Sequence, residues 1–175
     1  MNKPLYNYFT KDHRRIEALL DKATQDIDLI NMDIYHHFRV GLLKHIKMEE
    51  KVLFPAAQKA NGGTPLPLQA KLRLDHGALT SLMVVPPSPE VIKVIRHVLD
   101  LHDILEEEEG GMYDACEILT EKETEALLIQ LDQVTEVPVH PHNKADYALN
   151  AARNSLTRAG FDFDKIVAGS EERNF

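Results

Sequence analysis

His45-Ile46-Lys47-Met48-Glu49-Glu50-Lys51-Val52-Leu53-Phe54-Pro55 is the stretch from which the rest of the chain can be ordered. His45 and Glu49 stand four apart, so on a helix both side chains project from one face. Met48, Val52 and Leu53 continue an apolar stripe begun by Ile34, Phe38 and Leu42, and the spacing predicts a helix over about 32–60. Asn31 is suited to cap it, and Asn61-Gly62-Gly63-Thr64-Pro65 to stop it.

Three more helices of this kind flank it. Leu5, Phe9, Ile16, Leu19, Leu20, Ala23 and Ile27 predict one over 5–28. Leu68, Leu72, His76, Leu79 and Met83 predict a shorter one over about 67–84. After Pro86-Pro87, Ser88 is placed to cap a helix with Pro89 at its first position. That fourth helix carries Val91, Ile95, Val98, Leu99, His102 and Leu105 to about 118, disturbed by Gly110-Gly111. Strand signals are weak throughout, so the expected fold is all-α, an antiparallel up-down four-helix bundle. Beyond it, Thr120-Glu121-Lys122-Glu123 reads as a capping box opening a short helix with Leu127, Leu128 and Leu131. Residues 143–159 read as another amphipathic helix ended by Gly160, and the last fifteen residues have no clear period. The expected organisation is a bundle over 1–118 and a helical extension over 119–175.

Each of the four long helices carries one histidine on its apolar face: His13, His45, His76 and His102. A lone imidazole there is ordinarily a hydrogen-bonded core residue. These four are related by position, however. In an antiparallel pair, residues equidistant from the turn lie at one height. The midpoints of 13 and 45, of 45 and 76, and of 76 and 102 are 29, 60.5 and 89, and each falls on a turn already marked by breakers. Four imidazoles in one buried layer are costly unless they share something, and a metal ion is the usual answer. Two of them are followed four residues on by a carboxylate, as His45…Glu49 and His102…Glu106. Mixed imidazole and carboxylate ligation suits iron, manganese or zinc.

The elements Asp12-His13 with Ile16, the HxxxEExxLFP run from His45, Asp75-His76, and His102 with Glu106-Glu107 resemble the hemerythrin family in its HHE cation-binding branch, over about residues 5–118. The resemblance implies a non-haem centre of two iron ions bridged by carboxylates. On it, Glu49 and Glu106 bridge, with His13, His45, His76 and His102 as terminal ligands. Glu106 has the i+4 spacing, but a π-bulge near Gly110-Gly111 would bring in Glu107 instead. Family members bind dioxygen, bind or reduce nitric oxide, sense oxygen or iron, or repair iron centres, so fold alone leaves the function open. Oxygen carriers of the family have a further histidine one turn after the third-helix histidine. That position is Thr80 here, which implies an open coordination site and argues against simple oxygen storage.

Other residues rank lower. Glu17 is expected to be solvated or to accept from His13. His36, His37 and His97 map off the apolar stripe and are expected to be exposed. His140-Pro141-His142 lacks an evident third ligand for a second site. Cys116 and Tyr6 read as packing residues. With 20 Lys and Arg against 28 Asp and Glu, the net charge of −8 disfavours a nucleic-acid footprint. No run of 18 apolar residues predicts a membrane span, and one cysteine with no signal-peptide pattern fits a cytoplasmic, reducing compartment. Beside a bundle whose metal is only structural, two function classes follow. One is a redox-active di-iron protein acting on a small diatomic ligand. The other is a non-enzymatic iron or oxygen sensor that signals to a protein partner through residues 119–175.

Overall fold

In the computed structural model, which describes residues 3–169, the regular secondary structure of the described residues is helical, with no strand. The helices are α1 Pro4–Ala23, α2 Met32–Met48, α3 Phe54–Ala60, α4 Gln69–Leu82, α5 Pro89–Glu107, α6 Met112–Leu119, α7 Thr124–Asp132, α8 Asp146–Ala159 and α9 Phe163–Ala168. This agrees with a helical bundle that carries additional helices. None of them is long and apolar enough to cross a membrane.

The chain divides into two compact units. The first holds the residues up to Ala70 together with Ile104–Val139; the second holds Lys71–Asp103 and the residues from His140 on. The described residues of 119–175 are thus shared between them.

In the first unit α1 and α2 run antiparallel. Asn31 donates its backbone N–H to the Ala23 carbonyl at 2.8 Å, His45 meets Asp12, and Tyr8 meets Met48. Asn31 caps α2 as expected, its side chain accepting from the Ile34 N–H at 3.1 Å. The helix expected over 5–28 ends earlier, at Ala23. Thr24 turns its hydroxyl back onto the Leu20 carbonyl, and Asp26 accepts from the Asp28 N–H, so Ile27 sits in a turn and is exposed. The core here is built from Leu5, Phe9, Ile16 and Leu20 of α1, Tyr35, Phe38 and Leu42 of α2, and Leu53, Phe54, Tyr113 and Cys116. Where the sequence suggests one helix over 32–60, Glu49–Leu53 form a π-helical turn between α2 and α3.

The fourth predicted helix is also divided. Gly110 adopts φ +79°, and a Cβ on Gly111 would lie 2.8 Å from the carbonyl oxygens of Leu105 and Glu108. These two glycines separate α5 from α6. Lys3 pins α6 through Asp114 at 2.7 Å, and Asp114 also accepts from the Gly110 N–H. The capping box expected at Thr120 does not form. Its hydroxyl bonds back to the Cys116 carbonyl at 2.8 Å, and Glu121–Glu123 make a 3₁₀ turn before α7.

In the second unit Ser88 caps α5, accepting from the Val91 N–H at 3.3 Å. Lys71 donates to the Ala159 carbonyl and lies 4.4 Å over the Phe161 ring, Ser81 meets Ser155, and Lys93 donates to the Val167 carbonyl. These contacts tie α8 and α9 to α4 and α5. The segment read as having no period contains α9, which Asp162 caps by accepting from the N–H groups of Asp164 and Lys165. Six residues are too few to display a helical repeat.

Candidate metal centre

The face of α1 that packs on α2 carries Phe9, His13 and Ile16, and the opposing face of α2 carries Leu42 and His45. Equal height brings the two imidazoles together, with ring centroids 4.5 Å apart and the two Nε2 atoms at 2.9 Å. Glu49, one turn on from His45, reaches the same place, its Oε1 lying 3.3 Å from His45 Nε2. Glu106, in the last turn of α5, arrives from the other side with Oε2 3.4 Å from His13 Nε2. One donor atom from each of His13, His45, Glu49 and Glu106 lies within 4.8 Å of the others, and all four residues are buried. Both carboxylates are 0% exposed.

The outer nitrogens of both rings are committed elsewhere. His45 Nδ1 donates to Asp12 at 2.9 Å, and His13 Nδ1 donates to Glu107 at 2.7 Å. Each of these carboxylates is backed by an arginine: Arg15 on Asp12 at 2.7 Å, and Arg14 on Glu107. Arg14 in turn pairs with Glu17, which is linked to His13 through Arg14 and Glu107. This carboxylate–imidazole order leaves both Nε2 lone pairs aimed inward, the arrangement that outer partners impose on metal-ligating histidines. Glu106 faces the cluster, and Glu107 takes the outer side of His13. The π turn lies on the second predicted helix, starting at Glu49, and not near the glycines.

The electrostatics follow from this geometry. Burial opposes the charged form of His45, but the Glu49 charge and the bonds to Asp12 and Glu49 outweigh it, and its pKa is raised. Burial likewise opposes the Asp12 and Glu107 charges. His45 and Arg15 on the first, and His13 and Arg14 on the second, more than offset it and hold both carboxyls below the usual range.

Tyr113, from α6, was not anticipated from sequence. Its hydroxyl oxygen lies 2.5 Å from Glu49 Oε1, 2.8 Å from Glu106 Oε2, 3.0 Å from His13 Nε2 and 3.3 Å from His45 Nε2. Burial, with the Glu106 and Glu49 charges, pushes its pKa well above the ordinary phenol value. A signal existed: Tyr113 is seven residues after Glu106, two turns along one face if a helix is continued through the break.

With these donors assembled, the family comparison bears directly on them. Residues 5–84 match the family described as Hemerythrin HHE cation binding domain. No curated protein and no solved structure matches the chain. The hemerythrin-like segment covers His13, His45, Glu49 and His76, and stops before His102 and Glu106.

In the second unit His76 and His102 approach with ring centroids 4.8 Å apart, both buried. Asp75 lies 3.5 Å from His102 Nδ1 and accepts from Lys71 at 2.5 Å. Thr80 is exposed, so it does not mark a coordination position. On α4 the buried side of these turns is taken by Ala78, Leu79 and Leu82, and Thr80 lies on the exposed side. His36 and His37 are exposed as expected, but His97 is half-buried against Phe161. Neither His140 nor His142 belongs to a metal-capable cluster among the described residues. Cys116 is fully buried, and burial raises its thiol pKa. Tyr6 is half-buried, edge-on to Tyr113, its hydroxyl donating to the Glu107 carbonyl at 2.9 Å.

A groove of about 420 Å³ opens on the α1–α2 surface, with Tyr8, Asp12, Arg15, Lys44 and Met48 among its lining residues. Asp12 joins this groove to His45.

Proposed function

We propose that the chain is a non-haem di-iron protein that binds dioxygen, nitric oxide or a related small ligand and reacts with it. The observation that carries this reading is the convergence of His13, His45, Glu49 and Glu106 at one buried place, with both imidazole Nε2 atoms turned inward. The donor set fits a cation. Two carboxylates at 0% exposure are costly in a protein interior, and a bound cation offsets that cost. Manganese or zinc would also accept these donors, and iron is favoured by the family resemblance.

His13 and His45 would hold the metal through Nε2, and Glu49 and Glu106 through their carboxylates. His76 and His102 join the ligand set on the resemblance and the midpoint arithmetic. Bound iron supplies Lewis acidity and one-electron chemistry. The protein's own part is to orient and to insulate. Asp12 and Glu107 fix both rings by accepting from Nδ1, and Asp12, at the groove, holds a proton at His45 Nδ1 within reach of solvent. Phe9 stacks its edge on His45 at 5.5 Å and lies 5.2 Å from Tyr113, which keeps water from that side.

The test is exposure of anaerobic, ferrous-loaded protein to dioxygen and, separately, to nitric oxide, with an added electron donor. Repeated consumption of either gas supports the redox reading. A single oxidation without turnover, together with a partner captured only by the metal-loaded chain, would favour the sensor reading.

A further inference from the structure

We propose that Tyr113 is itself a ligand of the metal centre, a phenolate that selects ferric iron and occupies a coordination position otherwise open to small molecules. The inference rests on the metal-centre reading above and adds a residue to it.

Four distances carry it. The Tyr113 oxygen stands 2.5, 2.8, 3.0 and 3.3 Å from donor atoms of Glu49, Glu106, His13 and His45. The phenol oxygen is therefore placed among the four donors, and a cation shared by them has that oxygen as its neighbour. Either the ring swings away when the ion binds, or the oxygen coordinates it. The ring cannot readily swing. Tyr113 is 1% exposed, with Phe9 at 5.2 Å and Tyr6 edge-on at 6.3 Å. Its helix is fixed as well, by Lys3 on Asp114 at 2.7 Å and by the Tyr6 N–H donating to Glu117 at 3.0 Å. Close-packed interiors resist such a displacement.

The binding step balances simply. The Tyr113 O–H bond breaks, an oxygen–iron bond forms, and the proton leaves to the buffer with no electron transferred. The phenolate adds a third negative charge to those of the two carboxylates, which favours the ferric over the ferrous state. Carboxylate and phenolate oxygens are hard donors, and they favour a hard ion.

The test uses the full chain loaded with ferrous iron and oxidised in air. Iron content, the visible spectrum and resonance Raman scattering are read on wild type, Tyr113→Phe and Tyr6→Phe. The expected result is a visible phenolate-to-iron absorption with tyrosine ring vibrations enhanced under it. Both persist in Tyr6→Phe and vanish in Tyr113→Phe, which still binds iron. Should Tyr113→Phe fail to fold, wild type grown with ring-deuterated tyrosine replaces it, and the enhanced bands must shift. Iron bound by wild type without tyrosine vibrations, or vibrations unchanged in Tyr113→Phe, would overturn the proposal and leave the four-donor reading standing. Wild type that binds no iron overturns both.

Discussion

His13 with His45, and His76 with His102, begin from the same dipeptide. In each pair the first helix carries Asp-His, and the aspartate serves the histidine of the second helix: Asp12 on His45, Asp75 on His102. Adjacent helical residues are about 100° apart, so when one points inward its neighbour flanks the partner helix. A cation backs each aspartate, Arg15 at 2.7 Å and Lys71 at 2.5 Å. The two pairs also differ. The Asp12 contact is 2.9 Å and the Asp75 contact 3.5 Å. The first pair also has Glu107 on its second ring and the Tyr113 oxygen on both Nε2 atoms. A repeated dipeptide thus supplies the outer support of an imidazole, while the inner surroundings depend on what the rest of the chain delivers. For the first pair that delivery depends on the two glycines at the end of α5.

The comparison is broken most strongly at the carboxylates. Glu49→Ala or Glu106→Ala is expected to remove most of the bound metal, more than any single His→Ala, as metal analysis after dialysis would reveal. If either glutamate variant retains wild-type metal, these carboxylates are not ligands.

Next come the histidines. His76→Ala or His102→Ala should lower the iron content while keeping the phenolate absorption, because the donors around Tyr113 are untouched. His13→Ala or His45→Ala should lower both. Loss of the absorption in the His76 variant as well would mean that the two pairs act as one indivisible set.

The outer carboxylates sharpen the contrast. Asp12→Asn and Glu107→Gln should weaken metal binding by about 10–100-fold, the usual cost of losing the partner of a ligating histidine. Asp75→Asn, with its longer contact, should cost less. Competition with a chelator of known affinity measures all three, and equal losses would erase the distinction between the pairs.

Smallest is a pH effect in chelator-treated protein. The folded-state pKa values of Asp12 and Glu107 are lowered. Their contribution to stability is therefore present above the unfolded carboxylate range, about 4, and lost as pH falls through the lower folded values. Melting temperatures taken down an acid series should fall less steeply for Asp12→Asn than for wild type. The same slope in both would mean the pairing adds nothing. His36→Ala and Thr80→His, both at exposed positions, should alter neither metal nor melting.

The helical pattern was legible because α1, α2, α4 and α5 each show several turns of apolar spacing. Asn31 and Ser88 were recognisable as caps because an Asn or Ser ahead of a periodic run can accept from the first turn's N–H groups. The inward turn of His13, His45, Glu49 and Glu106 followed from i, i+4 spacing and equal height. Tyr113 escaped because Gly110-Gly111 interrupt the apolar run before it, so the spacing of seven from Glu106 carried no weight. The π turn at Glu49–Leu53 escaped because one extra residue per turn leaves the apolar spacing nearly intact. Ile27 was read inward on a run that the real helix end at Ala23 cuts short, and Thr80 lies on the exposed side of α4, where Ala78, Leu79 and Leu82 take the buried side.

The account's central claim is that His13, His45, Glu49 and Glu106 lie at a metal centre that binds iron. Metal analysis with an optical spectrum, on the full chain purified from iron-replete cells, tests it most directly. The expected result is about two iron ions per chain, as in the di-iron carboxylate bundles, with a spectrum that disappears on reduction and chelation. A chain that emerges without metal and takes up none under saturating ferrous iron would contradict the claim, and a content fixed near one ion would contradict its di-iron form.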